Sequence, residues 1–366
     1  MAFVTPGAFN AFIPQATGQV ISYIRDPSKY RVMQYAQLVL TPKPIGIYYK
    51  INRDDAARLV SDERDIWHDG ARRPFSDEDS LRHDTVEFAV TRRNFVAILG
   101  WKTIENADIK VLVGHTNKIR NKAQISRTQR LISLGETASN WEGHAATASS
   151  LNGGAGFWDQ STSEEGSPNR LAIKKTLDEV ARQIHLDTNG VVGDFGEDGD
   201  QNGLMMLLSP GAALRISQSD EIHSYIRESV YALPQLQGGK RGQNAIWGLP
   251  EYLYGWKVIV ENAVRVSEQP NTSGNSASTV GGASASRRFV KSDDSAICCT
   301  RVGGLDGQYG APSFSTFQLY YEGKEMQLET FDEPKDRLTE VHAVIEDKAT
   351  LPAPTSGYLI QDILST

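Results

Sequence analysis

Cysteine is nearly absent: the only two in 366 residues are the neighbours Cys298 and Cys299. Adjacent cysteines rarely bridge, because a native disulfide needs a wider Cα separation than neighbours allow. Two thiols also cannot complete a four-ligand metal site. A secreted disulfide scaffold is therefore excluded, and the pair reads as two small, half-buried strand residues. Long apolar runs are missing too. No segment reaches the roughly 18 apolar residues of a membrane span. The opening stretch MAFVTPGAFNAFIPQATGQV has no basic leader region and carries Pro6 and Pro14, unlike a signal peptide. Charge is absent from residues 1–24, Arg25 being the first charged side chain. Phe3, Phe9, Phe12 and Ile13 follow neither helical nor strand spacing. An extended arm lying on another surface fits that pattern, and so does a disordered tail.

The signatures of catalysis are missing as well. No Gly-x-Ser-x-Gly elbow and no His-Glu-x-x-His pair occurs. Gly238-Gly239-Lys240 lacks the upstream glycine of a phosphate loop and runs into Arg241. The seven histidines are scattered, with no two at metal-ligand spacing on a helix. Asp198, Asp200, Asn202 and Gly203 match the first half of an EF-hand loop, but the position that needs a bidentate Glu is Ser209. No catalytic residue, no metal ligand and no cofactor is assigned. With 38 Lys and Arg against 45 Asp and Glu, the net charge is −7. An acidic chain does not advertise nucleic-acid binding over its whole surface, although a local basic face stays open.

What is present is strongly patterned. IGIYYKI (45–51) reads as a strand. Between Arg53 and Asp84 stand ten acids and six arginines, so half of that stretch is charged. TVEFAVTRR (85–93) then alternates Val86, Phe88 and Val90 against polar neighbours, a period-two strand. Strand, charged excursion and strand describe a long hairpin-like projection, solvated or paired with charges on a partner. Its carboxylates have no apolar pocket to shift them and so make poor general acids.

Residues 104–134 carry apolar side chains at imperfect helical spacing and only one glycine, Gly114, where a break is expected. Lys110, Lys118, Arg120, Lys122, Arg127 and Arg130 fall here, and no acid stands between Asp108 and Glu136. Two readings stay open: a face toward polyphosphate, or a solvated face answering acids elsewhere. Residues 135–166 are rich in small residues and read as loop. Ser167-Pro168 signals a helix start, followed by Ile173, Leu177, Val180, Ala181 and Ile184 on one face. LMMLL (204–208) suits a fully buried strand, with Ser209-Pro210-Gly211 and a helix after it. WKVIV (256–260) is a second buried strand, and 268–288 a flexible loop. Phe314 to Lys348 reads as three strands, the first two joined by a turn at Glu322-Gly323-Lys324.

This order of parts resembles the major capsid proteins of tailed bacteriophages. The closest resemblances are LAIKKTLDEVARQI with LMMLL and SPGAALRI, AIWGLPEYLYGWKVIV, and the ending LPAPTSGYLIQDIL. The resemblance implies an α+β, Hong Kong 97-like capsid fold. It assigns an N-terminal arm at 1–42, an extended loop at 43–103, a peripheral domain with a spine helix at 104–190 and 310–366, and an axial domain at 191–309. It implies a non-enzymatic subunit that assembles into the pentamers and hexamers of an icosahedral shell around double-stranded DNA. Lys118, Arg120, Lys122, Arg127 and Arg130 would then face nucleic acid without sequence specificity. Asp62, Glu63, Arg64, Asp65, Arg72 and Arg73 would form intersubunit ion pairs. Further implied partners are a portal protein, a separate scaffolding protein and a cement or decoration protein, with no membrane. The implied location is the virion capsid, assembled in host cytoplasm. No long charged helix precedes residue 40, which is why the scaffold is expected as a separate protein. The alternatives are an encapsulin-like compartment, an α/β hydrolase-like enzyme with a charged lid at 52–84, and a virion decoration or tail protein.

Overall fold

The computed structural model describes residues 30–50, 84–106, 111–188, 192, 203–228, 247–266, 287–301, 315–324 and 326–365. The architecture is mixed α+β, with two large sheets and a long helix between them. The charged stretch 53–83, the acids Asp198 and Asp200 with Asn202, and most of the 268–288 tract lie outside the described residues.

One sheet has six strands in the order β5-β15-β11-β6-β8-β7. These are β5 (Ala145–Thr147), β6 (Leu204–Leu208), β7 (Tyr252–Leu253), β8 (Trp256–Val260), β11 (Ser295–Thr300) and β15 (Tyr358–Gln361). Its central strands are near-continuous apolar runs because both faces are covered. Alternate side chains divide between two cores. Met206, Leu208, Val258, Cys298 and Ile360 enter one, while Met205, Leu207, Ile259, Cys299 and Leu359 enter the other. The two cysteines are thus fully buried on opposite faces, not half-buried as their composition suggests.

Helix α2 (Ala172–Asp187) covers the first face with Ile173, Leu177, Val180 and Ile184, as their spacing predicts. Its start differs from the sequence signal. Ser167-Pro168 sits in a turn, and the helix begins at Ala172 after Leu171 in a left-handed conformation. The first N–H groups, which have no partner within the helix, are satisfied by residues outside it. Glu221 Oε2 accepts from Ile173 N at 3.1 Å, and Glu221 Oε1 accepts from Lys174 N at 3.0 Å. Ser161 Oγ accepts from Ala172 N at 2.9 Å. A buried carboxylate at a helix N-terminus serves both the orphan donors and the dipole. Helices α3 (Pro210–Ser217) and α4 (Asp220–Glu228) follow β6 on the same side, α3 capped locally by Ser209.

The second sheet is ordered β1-β12-β14-β13, with β4 also on β14. Its strands are β1 (Ala36–Thr41), β4 (Thr91–Gly100), β12 (Phe317–Glu322), β13 (Gln327–Glu333) and β14 (Leu338–Thr350). Asp347 pairs with both Tyr321 and Thr91, and Val344 with both Gln327 and Asn94. Strands β12 and β13 therefore lie in one line along the edge of β14 opposite β4. The expected reversal at Glu322-Gly323-Lys324 is an interruption of a single path, eased by Gly323 at φ 65. The reversal occurs instead between β13 and β14, at 334–337.

Helix α1 (Val111–Glu136) packs along β14 and β4 of this sheet. It runs unbroken through Gly114, since one glycine costs about 1 kcal/mol and packing on β14 and the second core outweighs that. Ile119 packs on Val341 and Ala343, while Leu131 and Ile132 reach the second core. Near its end, a Cβ on Gly135 would stand 2.9 Å from Phe317 Cζ, so close approach requires glycine there. The smaller pairings are β9 (Val264–Val266) with β10 (Arg287–Phe289), and β2 (Ile45–Lys50) with β3 (Asp84–Ala89). No helix among the described residues is long and apolar enough to cross a membrane.

Candidate assembly surfaces

The β2–β3 hairpin has two unlike faces. Gly46 and Tyr48 on β2 lie opposite Phe88 and Val86 on β3. On that inner face the Phe88 ring meets Tyr320 of β12 at 4.3 Å between centroids, and Tyr48 meets Tyr320 at 6.1 Å. This aromatic cluster moors the hairpin on the second sheet. Burial raises Tyr320, with its hydroxyl donating to Gln318 Oε1, to about 12. Lys50 at the strand's end pairs with Glu142.

The outer face carries an open apolar stripe along β2, beside Thr85 and Glu87 of β3. Ile45 is 68% exposed and Ile47 61%, with Tyr49 at 45%. Leu40 on β1 is also exposed. Contiguous exposed apolar residues are typical of surfaces that a partner covers. Sequence reading found the strand and missed the exposed stripe. The signal was there: Ile45, Ile47 and Tyr49 alternate on one side of β2 and Gly46 and Tyr48 on the other, so whichever side the ribbon turns inward, an apolar stripe of β2 stays outward. The loop charges Asp62, Glu63, Arg64, Asp65, Arg72 and Arg73 belong to the stretch between these strands and lie outside the described residues.

The basic segment resolves into two groups on α1. Lys118 and Lys122 are exposed and carry no ion pair among the described residues. Lys122 Nζ stands 6.0 Å from the centroid of Phe95 on β4. Arg120 is half-buried, its Nε shielded from solvent without a partner. Arg127 is fully buried, and its Nε donates to Asp347 Oδ2 at 2.9 Å. It faces β14 and not solvent, because a buried guanidinium must be spent on an acid. Arg130 donates through Nη1 to Ser126 at 2.9 Å and through Nη2 to Asp347. Burial pulls the Arg130 guanidinium down, against the opposing attraction of Asp347. Arg93 of β4 reaches the same carboxylate at 3.4 Å. Three guanidinium groups thus converge on one buried acid, and the basic segment divides into a buried anchor and an exposed stripe.

A second polar junction ties the chain ends of the first sheet. His144 Nδ1 lies 2.9 Å from the carbonyl of Gly357, and Nε2 lies 2.6 Å from Asp187 Oδ2. It joins the segment entering β5, the end of α2 and the segment entering β15. Gly143, Arg182, Gln183 and Leu186 complete a cleft of about 340 Å³ over it. Among the described residues that line the cleft, none is a nucleophile poised against the histidine.

No family model matches the sequence. No curated protein matches it either. Solved structures do. A phage-related protein from Bordetella bronchiseptica RB50 superposes at TM-score 0.57 with 11% identity, over 100% of both chains. The subunit of the mature capsid of bacteriophage PhiM1 superposes at 0.53 with 10% identity, over 94% of this chain and 90% of that one. The capsid of cyanophage P-SCSP1u gives 0.52 with 9% identity, over 96% and 93%. At such identities the likeness is one of fold, and it runs end to end. The fold is that of the phage capsid proteins.

Proposed function

We propose that this chain is a major capsid protein, a subunit that builds a closed shell from many copies of itself. The observation that carries the reading is the exposed apolar face of the β2–β3 hairpin. A monomer has no use for Ile45, Ile47 and Tyr49 in water, and a neighbouring copy would cover them. The end-to-end likeness to capsid chains supports the same conclusion. In this reading 1–42 is an arm, and 43–103 is the extended loop that reaches a neighbour. Residues 104–190 with 310–366 form the peripheral part, and 191–309 the axial part. Asp62, Glu63, Arg64, Asp65, Arg72 and Arg73 pair across subunits, each contact being weak and repeated throughout the shell. The shell consists of pentamers and hexamers and encloses double-stranded DNA within a virion. A portal, a scaffolding protein and a cement protein are its expected companions.

The test is expression alone and with neighbouring reading frames, followed by negative-stain electron microscopy. Hollow icosahedral or tubular particles are expected. A stable monomer or dimer under every condition overturns the proposal. Nuclease-protected DNA in particles made during infection separates a genome shell from a protein compartment.

A further inference from the structure

Strand β4 hydrogen-bonds with β14 on one side only, and among the described residues its other edge is unpaired. A free edge exposes alternate N–H and C=O groups that accept another strand. Beside that edge runs a basic ledge. Lys118, Lys122, Ser126 and Arg130 follow one another at four-residue steps, which places them on one face of α1. The contact of Lys122 with Phe95 and the convergence of Arg130 and Arg93 on Asp347 set that face against β4. Arg93 and Phe95 are two residues apart and point to the same side of the strand.

The ledge has more positive charge than it can neutralise. Asp347 is one carboxylate shared by Arg93 and Arg130, besides Arg127. Arg93 uses only Nη1, and the side chains of Arg93 and Arg130 remain 32% and 21% exposed. Lys118 and Lys122 have no acid at all among the described residues.

We propose that the free edge of β4 and the cationic ledge of α1 together form a docking site for an extended acidic segment of another protein chain. The segment adds to the sheet as a strand and turns alternate carboxylates onto Lys118, Lys122, Arg130 and Arg93. The spacings agree. Helix residues four apart rise by about 6 Å, and alternate strand residues repeat at about 6.8 Å. Lys118 to Arg130 spans about 18 Å, the length of a strand of five or six residues. A polyphosphate would meet the same charges, and that is one of the two readings the sequence leaves open for them. It would leave the peptide edge of β4 unused, and that edge decides between the two.

The site is independent of whether the chain builds shells, and the test reads it on the purified full-length protein. The probe is a fluorescein-labelled short peptide alternating Glu with Val and Thr, followed by fluorescence anisotropy. Binding is expected, weakened by added salt, and absent for the peptide with Lys in place of Glu. Lys118→Glu with Lys122→Glu, both exposed and so harmless to the core, weakens it about tenfold or more. Amide hydrogen exchange slows on addition of peptide at residues 91–100. Binding without that protection overturns strand addition. Equal binding by the double variant overturns the ledge. Displacement of the peptide by a short DNA duplex that binds more tightly and leaves 91–100 unprotected assigns the charges to nucleic acid and overturns the proposal.

Discussion

Arg127 and Asp347 meet at 2.9 Å although 220 residues separate them, and both side chains are wholly buried. The pair pins α1 to β14, the strand that also holds β4, β12 and β13. A buried ion pair adds little over an apolar pair of the same shape, but removing one partner strands the other charge. Asp347→Ala is therefore expected to cost roughly 3–5 kcal/mol, since it leaves Arg127 buried without its acid. Arg127→Leu with Asp347→Leu should cost less than the single aspartate change, the remaining loss coming from Arg93 and Arg130, which still lose their acid. Urea midpoints of the two variants check this, and equal losses would refute the anchoring role.

The cap on α2 gives a second prediction. Glu221 serves the N–H groups of Ile173 and Lys174 from 48 and 47 residues away. Glu221→Ala leaves those donors buried without an acceptor and should cost on the order of 2–4 kcal/mol, at 1–3 for each unmet group less relaxation. Glu221→Gln keeps one acceptor oxygen and loses the charge at the helix end, so a smaller loss is expected. Ser167→Ala, at the position the sequence marks as the cap, should leave stability within about 0.5 kcal/mol. A denaturation series across the three variants reads out which residue starts the helix.

That contrast shows what the sequence could and could not reveal. Strands β6 and β8 and the buried face of α2 were legible because periodicity and apolar runs are local signals. The cap was not, because Glu221 looks like any surface acid until the fold carries it to α2. Gly323 carried a true local signal, a positive φ, and the wrong global consequence, since turn chemistry does not say whether the chain reverses. The basic segment was visible as a run. Which of its members were spent depended on Asp347, beyond any window of local reading. The outward face of β2 was written in IGIYYK, but exposure is a property of what fails to cover a strand.

Alkaline pH should loosen the second sheet. Burial raises Tyr320 to about 12, and it raises Tyr35 well above its usual value with Glu261 adding to the effect. A phenol with a raised native pKa is held neutral by the fold. Its contribution is complete below the unfolded value near 10, and it is lost as pH rises through the native value. Stability should fall between about pH 10 and 12 with a slope of up to about 1.4 kcal/mol per pH unit per group. Tyr320→Phe keeps the ring against Phe88 and should flatten that slope. Urea unfolding at stepped pH tests it, and an unchanged slope in the variant removes Tyr320 from the account.

The hairpin's mooring can be broken at one atom. A Cβ on Gly46 would lie 2.7 Å from Phe88 Cζ, and the Phe88 ring is buried against Tyr320 at 4.3 Å, with Tyr48 beside it. The ring has nowhere to retreat without leaving the sheet. Gly46→Ala should therefore cost about 1–3 kcal/mol as an overpacking change. It should also shift the presentation of Ile45, Ile47 and Tyr49. Particle yield by electron microscopy is expected to fall further than stability alone explains. Gly46→Ala with Phe88→Leu vacates the clash and should recover stability, while particles stay scarce because the aromatic mooring is gone. Ile47→Lys, at a position opposite Glu87 on the exposed face, should leave the urea midpoint within about 0.5 kcal/mol and still abolish particles. If Ile47→Lys assembles normally, the exposed face of the hairpin is not where one copy meets the next.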